Sequence, residues 1–338
     1  MAKHEHANIP IFIPHLGCPN DCVFCNQRTI SGHGDFDPSA VRGEIETALA
    51  TLGDRQAEIA FFGGSFTGID RSLMISLLDT AQEYVDAGRV CGIRLSTRPD
   101  YIDGEIIDIL SRYTVAAVEL GIQSTDDRVL TASRRGHTAA QTEAACAAIR
   151  AAGLTLVGQM MIGLPESSPE SEIKTARDIC QMGATAARVY PTVVFKKTAL
   201  CRMAQGGEYA PLTDAEASAR AARVLDVFDK CGVRVIRVGL CASENLSSEE
   251  EVYGGASHPA VGEMAMSELY FSRICEAVDA LPEAPESLVI YVALGATSKA
   301  TGQKRANICR LCEKYGINRV KILEKNDIIG YNITLEYN

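Results

Sequence analysis

Three cysteines near the start of the chain, Cys18, Cys22 and Cys25, lie close enough in the sequence to bind one metal centre together. A [4Fe–4S] cluster is held by soft thiolate ligands, usually four, so three cysteines would leave one iron open to an outside ligand. The same spacing fits one face of a helix, but the glycine, proline, asparagine and aspartate of residues 17–21 disfavour a helix there. A structural zinc site completed by His15 is an alternative, because three cysteines and one histidine suit tetrahedral zinc. Simple burial of the thiols is the third interpretation.

The composition is that of an ordinary globular protein. The chain has 338 residues, of which 46% are hydrophobic and 22% charged, and this length predicts one large α/β barrel with an appendage. Twelve scattered cysteines, with no apolar signal segment in residues 1–6, predict a reducing cytoplasm rather than a disulfide scaffold. No apolar run approaches the ~20 residues that span a bilayer, so we expect no membrane association.

The charge is divided unevenly along the chain. A net charge of −10 argues against broad affinity for nucleic acids. Residues 299–325, however, contain eight basic and two acidic side chains, which gives this segment a charge of +6 and the remainder −16. Any attraction for a polyanion must therefore come from this segment.

Short apolar segments alternate with helical patterns over the first 240 residues. Their nearly continuous hydrophobicity predicts parallel strands that helices cover. Thr138 with Gln141 and Thr213 with Glu216 form capping boxes at two helix starts. The predicted strands are 9–14, 58–62, 92–96, 116–121, 154–162 and 186–190, with 233–238 as a possible seventh. Repeated βα units predict an α/β fold, a full or partial (β/α) TIM-like barrel whose chemistry lies at the C-terminal ends of its strands.

Unusual residues follow six of the predicted strands, where a barrel places its active site. Gly63 and Gly64 would let an amino or carboxylate group reach the backbone of a βα turn, or would simply form that turn. Arg98 could hold a carboxylate by two parallel hydrogen bonds, or could be solvated. Phe24 could lie beside a flat heterocycle, and Gln123 and Ser124 could bind ribose hydroxyls. The remaining candidates are Ser65, Tyr190 and the turn formed by Gly163, Leu164 and Pro165. Each of these features also has an alternative explanation in ordinary packing, a turn or helix capping.

These residues resemble the motifs of the radical S-adenosylmethionine (radical SAM) superfamily. The shared features are C-x3-C-x2-C with the aromatic Phe24 before its last cysteine, and a Gly-Gly turn after the second strand. The resemblance implies that Cys18, Cys22 and Cys25 are the catalytic ligands of a [4Fe–4S] cluster whose open iron binds the methionyl amine and carboxylate of SAM. It further implies cleavage of SAM to a 5′-deoxyadenosyl radical, and an electron donor such as a flavodoxin or ferredoxin.

Within the superfamily, the chain resembles the radical domain of the Elongator catalytic subunit, a family that modifies wobble uridine in tRNA. The likeness covers about residues 9–240, with a further match at residues 254–259. The contacts that the resemblance implies are Gly63, Gly64 and Ser65 at the methionyl amine, Gln123 and Ser124 near the ribose, and Gly163, Leu164 and Pro165 beside adenine.

The chain departs from the Elongator pattern in three ways. The first two cluster cysteines of that subunit usually lie further apart, and Lys197 stands where it tends to carry glycine. The chain also ends without the acetyltransferase domain that supplies the carboxymethyl chemistry, so we do not assume that reaction. A second resemblance, to oxygen-independent coproporphyrinogen dehydrogenase, rests on a Gly-Ile-Gln-Ser segment and on residues 134–137, and it implies a small-molecule substrate such as a tetrapyrrole. A non-catalytic, zinc-stabilised barrel is the third reading.

Three regions are predicted: a core at 1–240, a barrel-closing extension at 241–283 and a small α+β unit at 284–338. The unit should contain strands at 288–294, 320–323 and 331–337 and a helix at about 304–315. Its segment 302–308 resembles the Gly-x-x-Gly loop of KH-type RNA-binding domains, with Arg305 in place of the second glycine. Binding of tRNA or rRNA through residues 299–325 is therefore a hypothesis, and an ordinary basic surface helix is the alternative. Cys309 and Cys312 lack a second pair for zinc, so we expect them to pack.

Overall fold

The computed structural model describes residues 7–13, 16–18, 22–26, 36–53, 55–240, 250–283 and 285–338. Its first nine strands are β1 (Ala7–Phe12), β2 (Ala57–Phe62), β3 (Gly92–Thr97), β4 (Val115–Gln123), β5 (Leu156–Ile162), β6 (Ala186–Pro191), β7 (Val193–Phe195), β8 (Arg234–Val238) and β9 (Val252–Gly255). Seven of them form one sheet of parallel neighbours in the order β1-β2-β3-β4-β5-β6-β8. β7 and β9 pair separately as an antiparallel ribbon.

Helices cover one face of the seven-stranded sheet. The helices up to the end of this region are α1 (Val41–Leu52), α2 (Arg71–Asp86), α3 (Gly104–Leu110), α4 (Asp127–Ala132), α5 (Ala139–Ala151), α6 (Pro169–Gln181), α7 (Ala199–Gln205), α8 (Asp214–Lys230) and α9 (Val261–Asp279). Alternate strand residues such as Ile11, Ile59 and Leu120 are buried in the main hydrophobic core beneath them. This apolar face packs on helices, so the other face is left to form the hollow of the barrel.

The described strands form an open half-barrel, because β1 and β8 lie at opposite edges of the sheet. A twisted parallel sheet built from right-handed βα units curves in this way. The predicted α/β fold with a partial barrel is therefore confirmed, and the seventh predicted strand is present as β8.

The predicted element boundaries also agree with the structure. The strands match within two residues at each end, although residue 14 of the first prediction lies outside the described residues. Both capping boxes are complete, because the side chains of Thr138 and Thr213 accept from the backbone N–H groups of Gln141 and Glu216.

The C-terminal residues form a second, smaller sheet. In it β10 (Ser287–Val292) lies between β11 (Arg319–Glu324), to which it is parallel, and β12 (Thr334–Tyr337), to which it is antiparallel. Two helices, α10 (Thr297–Thr301) and α11 (Ala306–Tyr315), connect β10 to β11. The predicted α+β unit is confirmed, but its last strand begins at Thr334 rather than at residue 331. The helix α10 was not predicted, because five residues are too few to show a helical period. Cys312 packs against the core of this unit as expected, whereas Cys309 is exposed.

Helix α9 belongs to both hydrophobic cores. Its Ala265 and Leu269 pack in the barrel core, whereas Tyr270 and Ile274 pack with the strands of the second sheet. The division at 240/241 and 283/284 stays a prediction, and α9 shows how closely the extension and the C-terminal unit are joined. Within the described ranges, no helix is both long enough and apolar enough to cross a membrane.

Candidate active site

The cysteine segment is anchored to neighbouring loops by its own backbone. Val23 N donates to Ser133 O (3.2 Å), and Leu200 N donates to Val23 O (2.8 Å). The Val23 side chain is buried beside Leu200, and Phe24 packs against the same small cluster. Packing is therefore the role that these contacts support for Phe24.

The three predicted cluster cysteines lie together in this segment, with Cys22 buried and the other two half-buried. Cys25 N donates to Cys22 O (3.0 Å), so these two residues share one turn. Burial raises the pKa of the Cys18 thiol, and the charge of Arg98 opposes that rise. Among the described residues, no three His, Cys, Asp or Glu side chains are gathered as metal ligands, so the three thiols do not form a preformed cage. His15, the fourth ligand in the zinc alternative, lies outside the described residues.

Two buried arginines face this segment. Arg135 donates from Nη1 to Cys22 Sγ (3.3 Å) and from Nη2 to Gly121 O (2.7 Å). Arg98 donates from Nε and Nη2 to the carboxylate of Asp100 (both 2.9 Å) and from Nη2 to the carbonyl of Arg135. Arg98 therefore already binds the carboxylate of Asp100, whereas the sequence predicted that it could bind the carboxylate of a ligand. Cysteine thiolates are the ligands of iron–sulfur clusters, so three cysteines on one segment fit the predicted cluster.

Glycines allow the cysteine segment to touch the turn after β2. A Cβ on Gly64 would lie 2.4 Å from Leu16 O, and a Cβ on Gly17 would lie 2.2 Å from Ser65 O. A Cβ on Gly68 would lie 2.5 Å from Gly17 O, and Ser65 N donates to Leu16 O (3.0 Å). Gly64 is therefore needed first for the contact between these two loops, before any contact with a ligand.

The hydroxyl of Ser65 is used within the protein. Ser65 is fully buried, its Oγ lies 2.9 Å from Thr97 Oγ1, and Arg98 N donates to it (3.2 Å). Thr97 Oγ1 is 2.6 Å from Thr67 Oγ1, which donates to Tyr101 O (2.8 Å). These bonds hold the ends of β2 and β3 together.

The end of β4 carries an unsatisfied amide. Gln123 adopts a left-handed φ of 64° where the register with β5 shifts after Gly121. Its Oε1 is buried and has no hydrogen-bond partner in the described part of the chain. An orphaned acceptor of this kind is costly unless a bound donor satisfies it. Ser124 Oγ accepts from Asp126 N (3.1 Å), whereas the N-cap of α4 is Asp126 itself.

The turn after β5 is held by two residues that were not predicted. Gly163 has a left-handed φ of 75°, its N–H donates to Glu172 Oε1 (2.7 Å), and its carbonyl accepts from Tyr209 Oη (2.6 Å). With Leu164 and Pro165 it lines a cavity of about 290 Å³. Glu172 and Tyr209 were missed because they lie on later elements and carry no motif of their own.

The concave face of the sheet carries a polar network that was also not predicted. Glu119 accepts from Arg188 Nε (2.7 Å) and Nη2 (2.9 Å), from Arg94 Nη1 (3.2 Å) and from Gln159 Nε2 (2.8 Å). Tyr190, a predicted site residue, is half-buried next to this network and is hydrogen-bonded to Arg188. Charged residues within otherwise apolar strands were the signal that could have revealed it.

Arg135 and His137 complete the site, and their roles could not be read from spacing alone. His137 is buried, and burial together with the positive charge of Arg135 lowers its pKa to about 3. The imidazole is therefore neutral near the cysteines over the physiological range.

Family comparison identifies the protein class. The model of the radical SAM superfamily matches residues 12–179, and the model of the radical SAM C-terminal domain matches residues 184–271. The chain belongs to the radical SAM superfamily. It is thus a radical SAM enzyme, and a non-catalytic zinc barrel is disfavoured.

Several similar proteins belong to the Elongator family or are named as tRNA uridine(34) acetyltransferases. The tRNA uridine(34) acetyltransferase of Methanocaldococcus jannaschii is 26% identical over 59% of this chain and 45% of its own length. Elongator complex protein 3 of Saccharomyces cerevisiae is 28% identical over 58% of this chain and 43% of its own length, so this chain spans less than half of either relative. An N-terminally shortened Elp3 of Methanocaldococcus infernus shares the fold, with a TM-score of 0.62 and 20% identity over 79% of this chain and 67% of that one. The resemblance to the Elongator radical domain is confirmed.

Proposed function

We propose that this radical SAM enzyme binds a [4Fe–4S] cluster through Cys18, Cys22 and Cys25 and cleaves SAM at the C-terminal ends of the half-barrel strands. The observation that carries the proposal is the contact of Arg135 with Cys22 Sγ inside a three-cysteine segment. When bound, such a cluster supplies the electron that cleaves SAM to methionine and a 5′-deoxyadenosyl radical, which takes hydrogen from a substrate. A flavodoxin or ferredoxin is the electron donor that we propose.

The residues of the chain itself position and shield this site. Arg135 donates to Cys22 Sγ, and this hydrogen bond orients the Cys22 side chain. Gln123 Oε1 is placed to accept from a ribose hydroxyl, which would satisfy the hydrogen bond that it lacks. The buried Val23 side chain packs beside Leu200 and excludes water from the inner side of the cysteine segment.

Anaerobic reconstitution tests this proposal. The wild type should take up about four irons per chain and, once reduced, form 5′-deoxyadenosine from SAM. Replacing Cys18, Cys22 and Cys25 by Ala should abolish both the sulfur-to-iron absorption and 5′-deoxyadenosine. The matched control replaces three exposed cysteines, Cys91, Cys231 and Cys309, by Ala and should retain both. A preparation that holds zinc alone and is active would contradict the proposal.

We further propose that the substrate is RNA, either tRNA or rRNA, bound by the C-terminal unit. Gly302, Lys304 and Arg305 form a turn with φ values of 75°, 51° and 63° between α10 and α11. The first N–H groups of α11 are directed toward this turn, and helix N-termini of this kind bind phosphate. The relatives named as tRNA uridine(34) acetyltransferases support an RNA substrate. RNA would then reach the barrel mouth past Lys196 and Lys197.

Ion pairs show which basic side chains of residues 299–325 are already paired with carboxylates. Arg310 and Lys314 are paired with carboxylates of α9, at 2.6 and 3.7 Å. Lys299, Lys304, Arg305, Arg319 and Lys321 form no ion pair with a carboxylate of the described residues. Arg319 and Lys321 lie on β11, whereas Lys304 and Arg305 lie in the turn before α11 and Lys299 lies on α10 next to it. We assign phosphate binding to Lys299, Lys304 and Arg305 because of this position.

A salt series tests the RNA proposal. Each phosphate contact contributes about −0.7 to the slope of log affinity against log salt for a single strand. Replacing Lys299, Lys304 and Arg305 by Ala should therefore flatten the slope for tRNA or rRNA fragments by roughly two units. The control replaces three exposed arginines elsewhere, Arg112, Arg177 and Arg234, with the same change in net charge. Equal slopes in both variants would remove the C-terminal unit from the proposal and favour a small-molecule substrate such as a tetrapyrrole.

A further inference from the structure

The hollow of the half-barrel contains a network of ion pairs. Arg94 Nε lies 2.7 Å from Glu58 Oε2, and its Nη1 lies 3.2 Å from Glu119 Oε1. Arg188 pairs with the other side of Glu119 at 2.7 Å. The guanidinium carbon of Arg188, on β6, is 5.7 Å from the ring centre of Phe62 on β2. A contact between strands so far apart in the sheet crosses the hollow, so the network lies on its concave face.

A third arginine joins this network without a carboxylate of its own. Arg237 on β8 lies opposite Arg188 on β6, at a point where the register shifts by a bulge. Its Nε is buried and has no hydrogen-bond partner, and it forms no ion pair with any described carboxylate. Glu119 does not neutralise Arg237, because both Glu119 oxygens already accept from Arg188 and one of them also accepts from Arg94.

Among the described residues, the network therefore has three arginines and only two carboxylates. The like charges of Arg188 and Arg237 on neighbouring strands also repel each other. A partly buried guanidinium also loses hydration, and without a partner nothing offsets that loss. The group that would compensate Arg237 is an anion from outside the chain.

Tyr190 supplies a second donor at the same place. It lies two residues after Arg188 on β6 and is hydrogen-bonded to Arg188. The charge of Arg237 is close enough to lower the pKa of Tyr190. Burial raises its pKa, so its hydroxyl stays protonated at neutral pH although the two arginines oppose that rise. Both Tyr190 and Arg237 are half-buried, so each side chain keeps some exposed surface.

We propose that Arg237 and Tyr190 form a subsite that binds an oxyanion, a carboxylate or phosphate group of the substrate, inside the half-barrel. The subsite differs from the cofactor site, because the cysteine segment contacts the turn after β2, whereas Arg237 lies on the edge strand β8. That a substrate carries the oxyanion rests on the proposed function. The binding of a free anion needs no turnover, so its failure can be distinguished from a failure of SAM cleavage.

Calorimetric titration of the full chain with inorganic phosphate, and separately with acetate, at constant ionic strength tests the subsite. The wild type should bind at least one of the two saturably, and the stronger ligand identifies the substrate group as phosphate or carboxylate. Arg237→Gln should weaken that binding at least tenfold. Arg237→Lys, which keeps the charge, should retain most of it.

Arg234→Gln is the matched control, because Arg234 is an exposed arginine on the same strand and should leave anion affinity unchanged. The melting temperature of Arg237→Gln should not fall, since the substitution removes an unpaired charge. Equal affinity in Arg237→Gln and wild type, equal loss in Arg234→Gln, or no saturable binding of either anion would overturn the proposal. Displacement of the anion by SAM would also overturn it, because the site would then be that of the methionyl carboxylate.

Discussion

Among single residues, His137 shows most clearly how the site perturbs a titratable group. Burial and the neighbouring charge of Arg135 lower its pKa to about 3, well below the value of about 6.5 expected in an unfolded chain. The native state thus holds a neutral imidazole under conditions in which the unfolded chain would bind a proton there.

We expect this difference to make the protein sensitive to acid. Because the folded pKa lies below the unfolded one, the free energy of unfolding should fall as the pH drops from about 6.5 towards 3, by up to about 1.4 kcal/mol per pH unit. The slope of the unfolding free energy against pH should therefore be smaller in His137→Gln than in the wild type. Denaturant unfolding at pH 7, 6 and 5 measures it. The exposed His258→Gln should keep the wild-type slope. Equal slopes in both variants would mean that the native His137 binds the proton.

At the scale of elements, the site depends on the packing of residues 16–18 against the turn after β2. The Cβ of Gly64→Ala would lie 2.4 Å from Leu16 O, so the cysteine segment would have to move. Overpacking of this kind costs about 1–3 kcal/mol. We expect iron uptake and 5′-deoxyadenosine formation to fall together, measured as iron per chain and product per iron.

Gly43→Ala is the control for this substitution. Gly43 lies within α1, and a Cβ there meets nothing within 4 Å, so the alanine should keep full iron and stabilise the helix by about 0.8–1 kcal/mol. If Gly64→Ala kept its iron and lost only SAM cleavage, Gly64 would act through the approach of the cofactor, as the family resemblance implies.

Across the whole molecule, α9 links the barrel to the C-terminal unit. Arg273 of α9 lies 2.9 Å from Asp226 and 2.8 Å from Asp229 of α8, and its side chain is only 12% exposed. Its guanidinium also lies over the ring of Tyr331, 5.9 Å from the ring centre. Because one helix completes both cores, we expect the two regions to unfold in a single transition.

Arg273→Met should lower the free energy of unfolding by about 1–3 kcal/mol, between the values for exposed and buried pairs. Lys230→Met is the control, because Lys230 pairs with the same Asp226 but is 64% exposed, and pairs of this kind contribute about 0.5 kcal/mol or less. Denaturant unfolding monitored by circular dichroism measures both. Equal effects of the two substitutions, or two separate transitions in the wild type, would contradict the role of α9 as the shared element.

The sequence by itself determined the elements and the family. Strand positions follow from apolar runs, and the start of α8 follows from Thr213 and Glu216, because each depends on residues within one turn or one strand. The spacing of Cys18, Cys22 and Cys25 and the glycines after β2 are also local, so the radical SAM assignment needed no coordinates.

Only the tertiary structure decided which side chains meet. Arg135 contacts Cys22 across 113 positions of the chain, and Arg237 faces Arg188 because of a bulge between β6 and β8. Gly64, which the sequence predicts at a ligand, also lies against the cysteine segment. Contacts of this kind depend on strand register and on the path of loops between distant segments, which local periodicity does not specify.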